Sequence, residues 1–252
     1  IPDQCAVSRR IADQLGCHVE SFGFGADSDW SAQRLSHRAG RYKFQLYRRW
    51  QPLGTVRLRV PGRHNVLNAL AAAALAHRRG VQAAQIARGL EAFSGVHRRL
   101  EHLGSWGEIA FWDDYAHHPT EVAAALQSVR QATTPRRLWC VFQPHQACRT
   151  RRLLDELAES LQNTDKLIVA EIYRVREPVA KPDDVTAADL AARAKQRGAA
   201  VVPVHQPEAI AMLLAQRIKP GDVVLTMGAG NIDRVAWSVI GQKRRATTRS
   251  AA

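Results

Sequence analysis

From Leu100 onward the chain alternates strand-like and helix-like segments, and this order restricts the fold more than any other feature. Apolar, β-branched runs fall at 100–103, 108–112, 138–142, 166–170, 200–204 and 223–227. Helix-spaced runs lie between them, at 119–131, 151–161, 187–197, 207–217 and 232–240. A chain of this kind is α/β, with a mostly parallel sheet covered by helices on both faces.

The first part of the chain is patterned differently. Cys5, Val7, Ile11 and Leu15 have helical spacing, closed by Gly16. A strand-like run follows at 18–24. Three short β segments come next, at 31–39, 42–47 and 55–60, with turns at Gly40 and at Pro52-Leu53-Gly54. They predict an antiparallel β meander. Helices are expected at 64–79, rich in Ala, and at 83–93. Ser94-Gly95-Val96 marks a boundary. The expected domains are 1–96 and 97–241, with a basic, disordered tail at 242–252.

Composition narrows the function classes. With 46% hydrophobic and 23% charged residues the chain is globular, and no apolar run is long enough for a membrane span. Cys5, Cys17, Cys140 and Cys148 form no CxxC pair, which predicts free thiols in a reducing, cytoplasmic setting. The net charge of +13 has two readings, nucleic-acid binding or a basic surface serving anionic small molecules. The arginines come in scattered pairs and no nucleic-acid module signature is present, so the expectation is no nucleic acid.

The stretch Asp113 to Glu121 gathers carboxylates, a phenol and two imidazoles at a strand-to-helix turn. In an open α/β sheet that edge is where ligands bind. Pro119 suits the first helical position, and Glu121 can reach back to cap the helix start. Asp114 is placed to accept ribose hydroxyls by analogy with dinucleotide folds. His117 and His118 diverge, which argues against a shared metal, and His118 can serve as the helix N-cap.

Four other stretches carry polar groups. His64, Asn65 and Asn68 share a helix end, where amides can either bind a purine edge or cap the helix. An Arg of the Arg98-Arg99 pair can reach a phosphate or simply lie on the surface. His145 and Arg149 follow a strand and can hold a carboxylate or acyl-phosphate oxygen. Met227-Gly228-Ala229-Gly230 contains a GxG, for which close packing of a turn is the simpler role.

Taken together, GRHNVLNALAA (62–72), FSGVHRRLE (93–101), DDYAHHPTEV (113–122), FQPHQACRTR (142–151) and MGAG (227–230) resemble the Mur ligase family, the ATP-dependent ligases that add amino acids to the peptidoglycan precursor. The match runs over nearly the whole chain and is nearest to the branch joining L-alanine to UDP-N-acetylmuramate. The branch that reattaches recycled murein tripeptide shares some of the motifs. The resemblance implies the end of a central ATPase domain followed by a Rossmann-like amino-acid-binding domain. It implies ATP and Mg²⁺ as cofactors, and an acyl phosphate attacked by the alanine amine. His64, Asn65 and Asn68 would lie near adenine, Asp114 near the ribose and Arg99 near a phosphate. Tyr115, His117, His145 and Arg149 would surround alanine and acyl phosphate, at one wall of a site built between domains.

Two departures accompany the match. No GxxxxGK[ST] phosphate loop occurs, and the chain opens Ile1-Pro2-Asp3 without Met. The expectation is an incomplete part, inactive alone, with its metal ligands upstream. Second, Gln146 stands where the family usually has Arg after the His of FQPH. A catalytically silent binding or scaffold protein is the alternative reading.

Overall fold

The computed structural model describes residues 1–175 and 184–250. The chain separates into two units, Ile1–Gly95 and Val96–Ala252.

In the first unit, α1 (Ala6–Ala12) is capped by Cys5 and buries none of its residues. It is shorter than the 5–15 expected. Of the strand expected at 18–24, only β1 (Phe22–Gly23) pairs, parallel to β2 (Trp30–Arg38). β2, β3 (Arg41–Arg48) and β4 (Gln51–Pro61) form the expected antiparallel meander. Its first turn is Ala39-Gly40, with φ of 48° and 69°. Its second is Arg49-Trp50, with φ of 43° and 70°, and not Pro52-Leu53-Gly54, which lies inside β4. Positive φ at both central residues twists a two-residue loop to match the strands. Arg and Trp carry no turn signal, and so the sequence placed the turn at the nearby Pro and Gly.

Alternation in β3 sends Tyr42, Phe44 and Leu46 inward, and β4 does the same with Val56, Leu58 and Val60. Helices α2 (Arg63–Arg78) and α3 (Ala83–Ala92) close this core with Val66, Leu70, Ala73 and Ile86. Each of the Val, Leu, Ile and Phe side chains among these contributes about 1.5–3 kcal/mol through burial. The intervening residues Arg41, Lys43, Thr55, Arg57 and Arg59 are exposed.

The second unit holds a five-stranded sheet. Its strands are β5 (Glu101–Trp106), β6 (Ile109–Asp114), β7 (Arg137–Phe142), β8 (Lys166–Val169) and β9 (Asp222–Met227), in the order β5-β6-β9-β7-β8. Only the β5–β6 hairpin is antiparallel. Successive residues of β7 serve opposite layers. Leu138, Cys140 and Phe142 pack with α4 (Pro119–Thr133), α6 (Leu154–Ser160) and α7 (Ala187–Gln196). Trp139 and Val141 pack with α8 (Pro207–Arg217) and α9 (Asp233–Ser250). Burial on both faces is why these strands read as continuous apolar runs.

Three expectations need correction here. The helix expected at 151–161 is two, α5 (Ala147–Arg152) and α6, broken at Leu153 with φ −112° and ψ 20°. The strand expected at 200–204 is reduced to one bridge between Leu167 and Val201. Leu167 exchanges hydrogen bonds with Ala200 and Val202, after which Pro203 has no N–H to donate. The tail expected to be disordered from Gln242 continues α9 through Ser250, and residues 251–252 lie outside the described residues.

Candidate functional site

β6, β9 and β7 run parallel and end level, with Asp114 beside Met227 and Met227 beside Phe142. The segments that leave these ends hold Tyr115 to His118, Gly228 to Asn231 and Gln143 to Arg149. Residues past β8 join them: Tyr173 bridges His145, and its N–H donates to Pro144 O at 2.8 Å. This is the strand edge at which open α/β sheets bind ligands.

A buried ion pair fixes the edge. Arg98 Nε donates to Asp113 Oδ2 at 2.7 Å, Nη2 to Gly228 O at 2.8 Å, and Nη1 to Gly230 O. Thr226 Oγ1 donates to the other Asp113 oxygen at 2.5 Å. Asp113 is fully buried, and burial lifts its carboxyl above the usual range despite Arg98 and Thr226. Arg98 therefore ties the start of the unit, the end of β6 and the glycine turn into one body.

Its neighbour Arg99 is exposed, with its guanidinium 5.3 Å from the centre of the Tyr115 ring. The separation of the two arginines is a backbone effect. Arg98 and Leu100 have φ of 58° and 47°, a left-handed conformation on either side of Arg99. Tyr115 N donates to Arg98 O at 2.7 Å, which anchors the turn. The sequence singled out Arg99 and missed the anchoring role of Arg98.

Asp114, read from the sequence as a ribose acceptor, is 6% exposed. Its two oxygens accept from Leu100 N at 2.8 Å and Ala116 N at 2.7 Å. Burial is the main cause that raises its pKa to about 6, against those two amides and Arg99, which lower it. The carboxylate is turned into the chain and holds the two turns together.

Downstream, the α4 start forms as the sequence suggests. Pro119 opens the helix, His118 is the N-cap, and Glu121 accepts from His117 N at 3.1 Å and His118 N at 3.3 Å. Burial raises the Glu121 carboxyl, but these amides and His117 bring it below its ordinary value. His118 stays exposed. His117 is half-buried, with Nδ1 2.9 Å from Tyr115 O and 3.5 Å from Glu121 Oε2. Both partners can only accept, so Nδ1 carries the proton in the neutral ring and Nε2 keeps its lone pair.

The rings form a row. Tyr115 meets His117 edge-on at 5.6 Å, His117 lies 5.9 Å from His145, and His145 stacks on Tyr173 at 6.0 Å. Tyr173 was not picked out from the sequence. Its position, just after a parallel strand, was the available signal. Arg149 is half-buried on α5, while Gln146, at φ 66°, donates from Nε2 to Val175 O at 3.3 Å. The glycine turn packs against this group. A Cβ on Gly230 would lie 2.5 Å from Tyr173 Cγ and 2.3 Å from Gln143 Oε1, and one on Gly228 2.6 Å from Gln143 O. Close packing, the simpler reading of the GxG, is its role in the fold.

His64, Asn65 and Asn68 belong to the first unit. Gly62, with φ 101°, precedes α2, and no side chain caps it. Asn65 Nδ2 donates to Pro61 O at 2.7 Å, and Asn65 Oδ1 accepts from Asn68 Nδ2 at 3.1 Å. Asn68 is exposed, and this relay fixes its amide with Oδ1 available as an acceptor. Among the described residues no group of three or more His, Cys, Asp or Glu can hold a metal ion. No described helix is long and apolar enough to cross a membrane.

The chain belongs to the Mur ligase family, whose domains its antiparallel sheet and its parallel-rich sheet match. Residues 98–230 match the Mur ligase glutamate ligase domain, and residues 3–76 match the Mur ligase middle domain. The UDP-N-acetylmuramate–L-alanine ligase of Acetivibrio thermocellus is 34% identical over 236 residues, 93% of this chain and 50% of that protein. The ligase of the same name from Halorhodospira halophila is 40% identical over 229 residues, 89% of this chain and 47% of that one. A solved UDP-N-acetylmuramate–alanine ligase, MurC of Thermotoga maritima, superposes with a TM-score of 0.75 at 26% identity, over 90% of this chain and 48% of that chain. The chain spans about half the length of the curated relatives it matches.

Proposed function

We propose that this chain is the middle and C-terminal portion of a ligase that joins L-alanine to UDP-N-acetylmuramate with ATP. The observation that carries the reading is the Tyr115–His117–His145–Tyr173 row at the strand edge, with Arg99 over the Tyr115 ring and Arg149 in the segment that holds His145, in a chain similar to alanine ligases. ATP would supply the phosphoryl group that turns the muramate carboxylate into an acyl phosphate. The Asn65–Asn68 relay, with His64 beside it, suits the edge of an adenine, since one fixed amide both donates and accepts. Asp114 can reach a ribose hydroxyl only through lone pairs that Leu100 and Ala116 leave. The described residues offer no group of three or more His, Cys, Asp or Glu to hold Mg²⁺.

In the second step the alanine nitrogen attacks the acyl carbon, the C–O bond to phosphate breaks, and the nitrogen sheds a proton. His117 Nε2 would take that proton, since Nδ1 is committed to Tyr115 O. Arg99 and Arg149 would face the charge on the departing phosphate. His145 and Tyr115 would flank the amino acid. Gln146 replaces a cation by a neutral amide, which is the feature that favours the silent alternative.

The test supplies the N-terminal half of an alanine ligase in cis and follows phosphate release with UDP-N-acetylmuramate, ATP and alanine. Release that needs alanine, is absent from the chain alone, and falls at least 100-fold (about 2.7 kcal/mol) in His117→Gln is expected. Release with murein tripeptide and not alanine would move the reading to the recycling branch. A folded fusion without any release would favour the silent protein.

A further inference from the structure

The β2–β3 hairpin of the first unit forms an open cleft with a volume of about 590 Å³. That size falls within the range of small-molecule sites. Its lining includes His37, Arg38, Arg41, Lys43 and Arg57, and no acidic residue.

Register makes this charge unusual. Arg38 and Arg41 are direct partners across β2 and β3, on either side of the Ala39-Gly40 turn. Lys43 and Arg57 are direct partners across β3 and β4. Like charges placed directly opposite destabilise a ladder. Two such pairs occur side by side, and none of the four side chains has an ion-pair partner among the described residues. Glu91 meets this strand only through the backbone N–H of Arg57, at 3.1 Å, and does not line the cleft. The surrounding unit adds to the field. Residues 1–95 carry 14 Lys and Arg against 6 Asp and Glu, an excess of eight in the smaller unit.

We propose that this cleft is a binding site for a small, multiply charged phosphate anion. Planar guanidinium groups take phosphate oxygens in pairs, and the Lys43 ammonium adds a point charge. The aliphatic stems of these long side chains flank the anion and limit its hydration. A bound oligophosphate would relieve both repulsive pairs at once, so ligand binding and strand stability are coupled. None of the residues assigned to the ligase reaction lies in this cleft, and the two readings stand or fall separately.

Inorganic tripolyphosphate and the full chain test this. At about 50 mM salt, tripolyphosphate should raise the Tm and give a saturable titration, and the affinity should fall sharply at about 200 mM. The double variant Lys43→Gln, Arg57→Gln should melt higher than the parent without anion and lose about tenfold or more in affinity. The variant Arg38→Gln, Arg41→Gln should behave alike and guards against a folding failure in the first. Arg99→Ala and Asn68→Ala should retain the response. No Tm change with tripolyphosphate, or full affinity in both double variants, would overturn the site. A DNA duplex that binds tighter than tripolyphosphate and is lost in the same variants would replace the small anion by a nucleic acid.

Discussion

The two sheets use charge in opposite ways. In the first unit the sheet has one covered face, and on the other Arg38, Arg41, Lys43 and Arg57 stand opposite one another in pairs without carboxylates, while Arg48 and Arg49 pair with Glu20 and Asp29. In the second unit both faces are covered, so polar groups concentrate where strands end. There the main cation, Arg98, is only 13% exposed at its side chain and is matched to Asp113 and two carbonyls. The antiparallel sheet thus presents charge, whereas the parallel sheet uses it to hold its loops in place. An exposed face keeps water as a partner for every cation. Arg98 and the fully buried Asp113 have little water, and each needs partners from the chain.

The contrast can be broken most sharply at Arg98. Arg98→Met should destabilise the second unit by about 3–5 kcal/mol, because it strands the Asp113 charge in the interior. Arg99→Ala should leave the unfolding midpoint unchanged. Equal effects of the two in urea titrations would show that the edge is not held as described. Comparable in size is Phe44→Ala, at about 3–5 kcal/mol, since Phe44 is 1% exposed between two strand residues that face water. Its neighbour Lys43 should show the reverse sign when neutralised.

A smaller effect concerns pH. Asp114 is raised from 3.8 to about 6 in the folded chain, so the folded state holds its proton more tightly than the unfolded one. The associated stability is complete below about pH 4 and is lost as pH rises through about 6. Carbon-detected titration of the Asp114 carboxyl should give a midpoint near 6, and a midpoint near 4 would contradict its burial. Smallest is the β3–β4 turn. Trp50 is 65% exposed at φ 70°, and Trp50→Gly should stabilise the chain by about 1 kcal/mol by removing the left-handed penalty. Thermal melting of the single variant checks it.

Elements whose code is local were legible in the sequence. The α4 start follows from Pro119 and Glu121, and the β meander from three short β segments in succession. What escaped depended on contacts across the chain or on conformations that residue type does not announce. Nothing in the Arg98-Arg99 dipeptide says which side chain turns inward, since that follows from left-handed φ at Arg98 and Leu100. The Arg49-Trp50 turn hides for the same reason. Asp114 could be placed at a strand end, but the amides of Leu100 and Ala116 that take its oxygens become neighbours only when the chain folds. Tyr173 reaches His145 across a gap of many residues. The strand expected at 200–204 had the right composition and failed on the missing N–H of Pro203.

Strand β9 is last in the chain and central in the second sheet, between β6 and β7. During synthesis the β5–β6 hairpin and the β7–β8 pair therefore emerge as two half-sheets with open edges, each lacking the neighbour it is shaped for. Neither can join the other until residues 222–227 arrive, and Arg98 meets its carbonyl partners only after that. A nascent chain stopped short of Asp222 would expose two sticky strands at once. The second unit should therefore fold late, in one concerted insertion, and should rely most on chaperones in the interval before its final strand leaves the ribosome.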